Sequence, residues 1–284
     1  MILVTGATGL VGRPLVERLC EAGIPVRAVT RDPENAGLPR EVELAAGDPS
    51  WPDTLAQALE GADAVFLNPR AIGTHADELL ALVRKSGVRR VVAISALNVD
   101  FELSRQPSRL TGEYNKEVEA AARASGLEWV SLRPGTYMAN SIGMWAGQLR
   151  RGDVVRGAYA AASWAPIHEE DLAEVGVRAL CSGELLGTSP VLTGPRSLTQ
   201  QEMVAAIGAA TGRALRFEEV GADAVEAAMA RAGMPARMAA GFLAMQAESY
   251  GQERLVTGEV ERILGRPGLT FAEWAVDHVM AFQG

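Results

Sequence analysis

The chain has 284 residues, 48% apolar and 22% charged, with 30 glycines and an aromatic share of 5%, proportions that exclude disorder or a fibre and suit one large α/β domain or a nucleotide domain with a smaller lobe. Thirty-five acidic against 27 basic residues leave a net charge of −8 without any block of like charge, and a nucleic-acid partner is not expected, because phosphate binding requires a basic face. No window approaches the ~18 uninterrupted apolar residues of a membrane span. No basic leader precedes the first apolar run, and the distant Cys20 and Cys181 form no disulfide or metal pattern, so a cytoplasmic, membrane-free protein is expected.

The first half alternates short β-branched runs with helical stretches. Strands are expected at Ile2 to Thr5, Pro25 to Thr30, Val42 to Ala46, Ala64 to Asn68, Arg90 to Ser95 and Trp129 to Arg133. Helices are expected at Val11 to Ala22, Thr54 to Leu59, Ala76 to Lys85 and Glu113 to Ala124, with Gly87 and Gly126 ending the last two. Strands joined by helices of this length pair in parallel through right-handed crossovers, which specifies an α/β, Rossmann-type doubly wound sheet. After Pro134 the rhythm changes. Ser189 to Thr193 reads as one more strand, Thr199 with Glu202 and Thr270 with Glu273 have capping-box spacing, and the last eighty residues read mostly as helix. We therefore expect a sheet domain over 1–135 and a smaller, mainly helical C-terminal substrate lobe over 136–284, with about 160–195 returning to the sheet.

The most informative segment is the opening one, where an apolar strand runs into Gly6, Gly9 and Gly12 and a helix follows at once. Gly6 permits the tight turn, Gly9 lets backbone approach a pyrophosphate, and Gly12 allows close helix-sheet contact. Thr8, Leu10 and Val11 complete the loop, whose free amides and helix dipole hold phosphates. Pro14 falls in the first helical turn, where its missing donor costs nothing. Strand before and helix after is the context that distinguishes this motif from an ordinary glycine-rich turn. The second strand ends at Thr30-Arg31-Asp32. An acid at such a strand end accepts from a ribose 2′-hydroxyl, whereas an arginine accommodates a 2′-phosphate. Arg31 comes first, so NADP(H) is favoured over NAD. Arg13 could reach the same region, and Asp32 could instead cap the turn before Pro33.

TGATGLVGRPLV, the strand end VTRDPE, Gly47-Asp48 before a helix, VVAISALN, LRPGTYMAN, APIHEEDLAEVGVRAL and ILGRPGLTFAEWA together resemble the NmrA-like branch of the atypical short-chain dehydrogenases/reductases, over nearly the whole chain. The resemblance implies a Rossmann domain that binds NADP(H), in a family of quinone, dye and natural-product reductases that also includes redox-sensing regulators. It places Asp48 near the adenine, Asn68 and Pro69 near the ribose, and Ser95, Pro134, Gly135, Thr136 and Tyr137 near the nicotinamide. These residues follow the carboxyl ends of successive strands, where such sheets bind ligands. Asp48 and Asn68 both precede prolines, so turn chemistry is the competing role.

A reductase takes its hydride from the cofactor and needs a proton source near the reacting atom. Orthodox short-chain dehydrogenases place a tyrosine four residues before a lysine. Here Tyr114 is followed at that offset by Val118, Asn115 stands where relatives often carry lysine or histidine, and Lys116 is one position off. Tyr137, Ser95 and His168 are the substitutes. Tyr137 could equally wall the nicotinamide, Ser95 could satisfy local backbone, and His168, the natural proton shuttle by its pKa, could fix the start of the helix that carries Asp171. Solvent can also supply the proton. His75, His168 and His278 lack metal-ligand spacing, no G-x-S-x-G elbow occurs, and the glycine turn lacks the Lys-Ser/Thr ending of an NTPase loop. Six of the nine methionines follow position 200, and Met238, Phe242 and Met245 recur at helical spacing. With Met138, Trp145 and Trp164 they are candidates to line a pocket for a small hydrophobic, aromatic substrate, against the ordinary alternative of core. The expected function is an NADP(H)-dependent reductase of a small hydrophobic carbonyl, quinone or related electrophile. The alternatives are a redox sensor without turnover and a biosynthetic isomerase or cyclase. Oligomeric state and substrate identity are not legible.

Overall fold

The computed structural model describes residues 1–283. In chain order its strands are β1 (Ile2–Val4), β2 (Val26–Thr30), β3 (Glu43–Ala46), β4 (Ala64–Leu67), β5 (Arg90–Ile94), β6 (Glu128–Pro134), β7 (Val154–Gly157), β8 (Ser163–Trp164), β9 (Val191–Leu192), β10 (Leu198–Thr199) and β11 (Arg216–Glu219). Its helices are α1 (Gly12–Glu21), α2 (Pro69–Ile72), α3 (Ala76–Lys85), α4 (Asn115–Ala124), α5 (Gly147–Leu149), α6 (Glu169–Cys181), α7 (Gln200–Thr211), α8 (Ala222–Arg231), α9 (Ala236–Glu248), α10 (Glu259–Leu264), α11 (Phe271–Asp277) and α12 (Val279–Phe282). They form two units. The first gathers Met1–Pro134, Glu169–Leu192 and Arg262–Gly265, and the second Gly135–His168, Thr193–Glu261 and Arg266–Gly284. Among the described residues no helix is long and apolar enough to cross a membrane.

The first unit is a seven-stranded parallel sheet in the order β3-β2-β1-β4-β5-β6-β9. Ile2 registers with Val26 on one side and with Ala64 on the other. The strand order therefore reverses between β1 and β4, and ligands of such sheets bind at the carboxyl ends of the strands at that point. Successive β4 side chains serve opposite faces, as the strand period requires. Val65 and Leu67 join Leu79, Leu80 and Val83 of α3 and Val118 and Ala122 of α4 in one core. Phe66 meets the other face, where Gly176 of α6 lets Leu15, Phe66 and Leu132 approach: a Cβ there would lie 3.1 Å from Leu15 Cδ1 and 3.5 Å from Phe66 Cε2. The six strands expected from the first half and the seventh after Ser189 are all present.

The segment expected as a helix over Thr54 to Leu59 is instead a 3-10 turn, Pro52–Leu55, followed by further turns. The Thr54 hydroxyl donates to Trp51 O at 2.7 Å and accepts from Asp48 N at 2.9 Å. That competition for backbone partners tightens the segment and disfavours a regular helix.

In the second unit both expected capping boxes are formed. Thr199 Oγ1 accepts from Glu202 N at 3.1 Å while Glu202 accepts from Thr199 N at 2.8 Å, and Thr270 with Glu273 does the same at 3.2 and 2.7 Å. The core here comprises Met138, Trp145, Leu149, Val155, Met203, Ile207, Phe271, Trp274 and Phe282. The last eighty residues are not all helix. β11 pairs in parallel with β7, and the irregular run 249–258 follows α9. Phe217 on β11 fits because Gly157 on β7 has no side chain, a Cβ there falling 2.7 Å from Phe217 Cζ.

Candidate functional site

At the reversal point Thr5 links the two central strands. Its hydroxyl donates to Phe66 O at 3.0 Å and accepts from Asn68 N at 2.9 Å. Gly6 then turns the chain at φ +64, and a Cβ there would meet Asn68 Nδ2 at 2.7 Å. Gly12 passes so close that a Cβ would lie 2.1 Å from Gly6 O and 2.8 Å from Ala7 Cα. The loop closes through Gly9 N to Gly6 O and Arg13 N to Gly9 O, each 3.0 Å. Among the described residues the N–H groups of Thr8, Leu10, Val11 and Gly12 donate to no protein acceptor. Thr8, Gly9 and Leu10 are exposed. Open amides at the start of α1 are what a pyrophosphate requires, and the glycines are necessary for steric reasons.

Arg31, at the carboxyl end of β2, is exposed and makes no ion pair or hydrogen bond among the described residues. Asp32 is engaged in the turn, accepting from Asn35 N at 3.3 Å and Asn35 Nδ2 at 2.8 Å. Arg13 holds the same loop by donating to the carbonyls of Ala36 and Gly37. Asp48 Oδ1 accepts from Ser50 N at 3.0 Å and Ser50 Oγ at 2.7 Å. Partial burial works against the Asp48 carboxylate, but these bonds and the nearby charge of Arg31 hold its pKa below the usual range. Asn68 caps α2, accepting from Arg70 N at 3.1 Å, with Pro69 in the first turn. Turn chemistry is thus present at both Asp48 and Asn68, alongside their place at strand ends.

Ser95 is buried at the end of β5, its N–H on Leu132 O at 2.7 Å and Leu97 N on Pro134 O at 2.8 Å. Its hydroxyl faces Glu119 electrostatically without completing a hydrogen bond, and Oγ has no partner among the described residues. Burial alone would push the Glu119 carboxyl up. Hydrogen bonds from Arg133 and from Ser131, the latter at 2.8 Å, outweigh it and hold the pKa low. Sequence reasoning missed Glu113, whose carboxyl burial pushes up against the pull of Arg70, 3.9 Å away. Its only sequence signal was its place beside Tyr114. Burial raises both thiols, Cys20 and Cys181, away from thiolate reactivity.

In the second unit an isolated parallel bridge brings the segment of Tyr137 beside the one that leads into His168. Tyr137 bridges to Ile167, with Ile167 N on Thr136 O at 2.8 Å and Met138 N on Ile167 O at 3.0 Å. Tyr137 and Gly135 are partly exposed. His168 is buried, its ring edge-on to His278 at 6.5 Å, and His278 stacks on Trp274 at 4.5 Å. Met138 and Trp145 are core residues at 1% and 3% exposure. Trp164 is also buried, between Phe242, stacked at 6.3 Å, and the Arg254 guanidinium at 5.9 Å. Met238, Phe242 and Met245 are half-buried on α9.

The profile of the NAD(P)H-binding family matches residues 6–182. The chain belongs to the NmrA-like atypical short-chain dehydrogenases/reductases. The NAD(P)H-binding domain and the reductase relatives make the chain an NAD(P)H-dependent oxidoreductase. The chain is 37% identical, over 99% of its length and 99% of the relative's, to a (4-alkanoyl-5-oxo-2,5-dihydrofuran-3-yl)methyl phosphate reductase of Streptomyces griseus. It is 33% identical, again over 99% of both, to an NAD(P)H azoreductase of Xenophilus azovorans. The fold is shared with the NADPH-dependent quinone oxidoreductase QOR2 of Escherichia coli complexed with NADPH, at a TM-score of 0.81 and 23% identity over 99% of this chain and 100% of that one. It is shared equally with the triphenylmethane reductase of Citrobacter sp., at 0.81 and 18% identity over 98% and 99%.

Proposed function

We propose that this protein is an NADP(H)-dependent reductase of a small hydrophobic carbonyl, quinone or related electrophile. The observation that carries the cofactor choice is the exposed, unpaired Arg31 at the end of β2, beside a turn whose amides are free. The N–H groups of Thr8, Leu10, Val11 and Gly12 hold the pyrophosphate, the α1 dipole adds to their pull, and Arg31 grips the 2′-phosphate. Asn68 and Pro69 border the ribose, and Asp48 the adenine. Bound NADPH supplies a hydride to an electron-poor carbon. Among the proton-donor candidates, Ser95 and His168 are buried at 2% and 3% exposure, which leaves Tyr137 with open surface. Tyr137 is assigned to the substrate side, with Pro134 and Gly135 shaping the chain that carries it. The relatives' own acceptors, an alkanoyl dihydrofuranone phosphate and an azo compound, support an electron-poor conjugated substrate.

Arg31→Ala should raise the Kd for NADPH about 10–150-fold, the loss of about 1.5–3 kcal/mol expected for a charged hydrogen-bonded contact, and leave NADH nearly unchanged. Equal effects on both would sink the NADP(H) assignment. NADPH oxidation is then followed against a panel of quinones, conjugated lactones and azo dyes. Tyr137→Phe should lower kcat with NADPH affinity intact, and an unchanged kcat returns the proton to solvent. A second reading, a nucleotide-sensing regulator, is favoured by the missing lysine four residues after Tyr114. It predicts NADPH binding without turnover of any acceptor.

A further inference from the structure

The loop after β3 carries a large aromatic ring that the cofactor contacts above leave unused. Trp51 is 68% exposed, more than any other aromatic residue among those described. An indole left in water forgoes the burial that ordinarily stabilises such a side chain, and its flat face is open to stack on a ligand. Its backbone is firmly held. Trp51 N donates to Asp48 O at 2.8 Å, and Trp51 O accepts from Thr54 N at 3.0 Å and Thr54 Oγ1 at 2.7 Å. Pro52 follows at once, fixing the next φ. The ring stacks beside His75, centroids 6.3 Å apart and planes 21° from parallel, and His75 Nδ1 lies 3.1 Å from Glu78 Oε2 on α3. The indole is thus oriented by its neighbours and still open to solvent.

Its position relative to Arg31 gives the ring a partner. Arg31 follows β2, Asp48 follows β3, and the charge of Arg31 is felt at Asp48. Parallel neighbours lie ~4.8 Å apart. A ribose whose 2′-phosphate is held at the end of β2 therefore directs its base over the loop that leaves β3, which is the loop of Asp48 and Trp51. Every nucleobase presents a flat π-face, and stacking is the interaction an exposed indole offers.

We propose that Trp51 stacks on the cofactor's adenine, with His75 holding the indole in orientation and Asp48 at the base's edge. This rests on the reading of Arg31 and the glycine turn as the NADP(H) site. The probes are NADPH and adenosine 2′,5′-bisphosphate, a fragment that lacks nicotinamide, titrated calorimetrically into wild type, Trp51→Phe and Trp51→Ala. Trp51→Ala should weaken both ligands by the same factor, about 2–12-fold, while Trp51→Phe retains most of the affinity. The Tm of ligand-free Trp51→Ala should match wild type, because the ring is exposed. Quenching of indole fluorescence by adenosine 2′,5′-bisphosphate should shrink in Trp51→Phe. Wild-type affinity of Trp51→Ala for the fragment overturns the stacking and leaves the cofactor site standing. A wild-type protein that binds neither probe overturns the site and the stacking together.

Discussion

Arg31 and Asp32 are neighbours with opposite fates. The aspartate is tied to Asn35 and the arginine makes no ion pair or hydrogen bond among the described residues, which is why the proposed cofactor choice rests on the arginine. The same division runs through the glycine turn. Gly6 requires the left-handed region, and its missing side chain makes room for Asn68. Gly6→Ala should cost about 1–2 kcal/mol in a urea titration from the backbone alone, and calorimetry should show NADPH binding lost as Asn68 is displaced. The spacing of these glycines and the arginine after the strand were legible because each acts through its own backbone or charge. Trp51 and Glu113 were not, because exposure of one and burial of the other depend on residues distant in sequence. Met138 and Trp145 teach the same lesson from the other side, since an apolar residue after a strand reads identically as wall or core.

Between α4 and β6 a buried carboxylate sets how the protein responds to acid. The folded Glu119 pKa lies below its unfolded value, around 4.3, because Arg133 and Ser131 hydrogen-bond the charged form. Its contribution is therefore complete above that unfolded value and is lost as pH falls through the folded one. Glu119→Gln should destabilise the protein at pH 7 by about 3–5 kcal/mol, as expected when a buried pair loses one partner. The deficit should shrink in urea titrations carried toward pH 3. Capping boxes were readable element by element, since Thr and Glu three apart state their own bonds. Thr270→Ala should lower stability by about 1 kcal/mol, measured by the same titration. The turn at Pro52–Leu55 was misjudged because the Thr54 hydroxyl competes for the backbone through Asp48, a partner that helical periodicity does not register.

Across the whole molecule the parallel, doubly wound sheet followed from alternation, because parallel strands need helical crossovers of one hand, whereas the order of its strands emerged only from the fold. The second unit was less legible: β7, β8, β10 and β11 are short, and their pairing depends on close approaches such as Phe217 over Gly157. That unit also contains α8, none of whose residues is buried. Native-state hydrogen exchange should show α8 amides opening far below the global unfolding free energy, while β4 and β5 amides open only with it. Equal protection in both would refute this.

The sheet unit takes α6 and β9 from beyond residue 168 and a last short piece from Arg262–Gly265. During synthesis, then, a nascent polypeptide that has emerged only as far as Pro134 has β6 as an open edge and no α6 to cover Phe66 and Leu132. The sheet unit that carries the glycine turn is complete only once Arg262–Gly265 has been made. Circular permutants that rejoin these pieces early should acquire ligand-binding competence sooner on the ribosome than the natural order does.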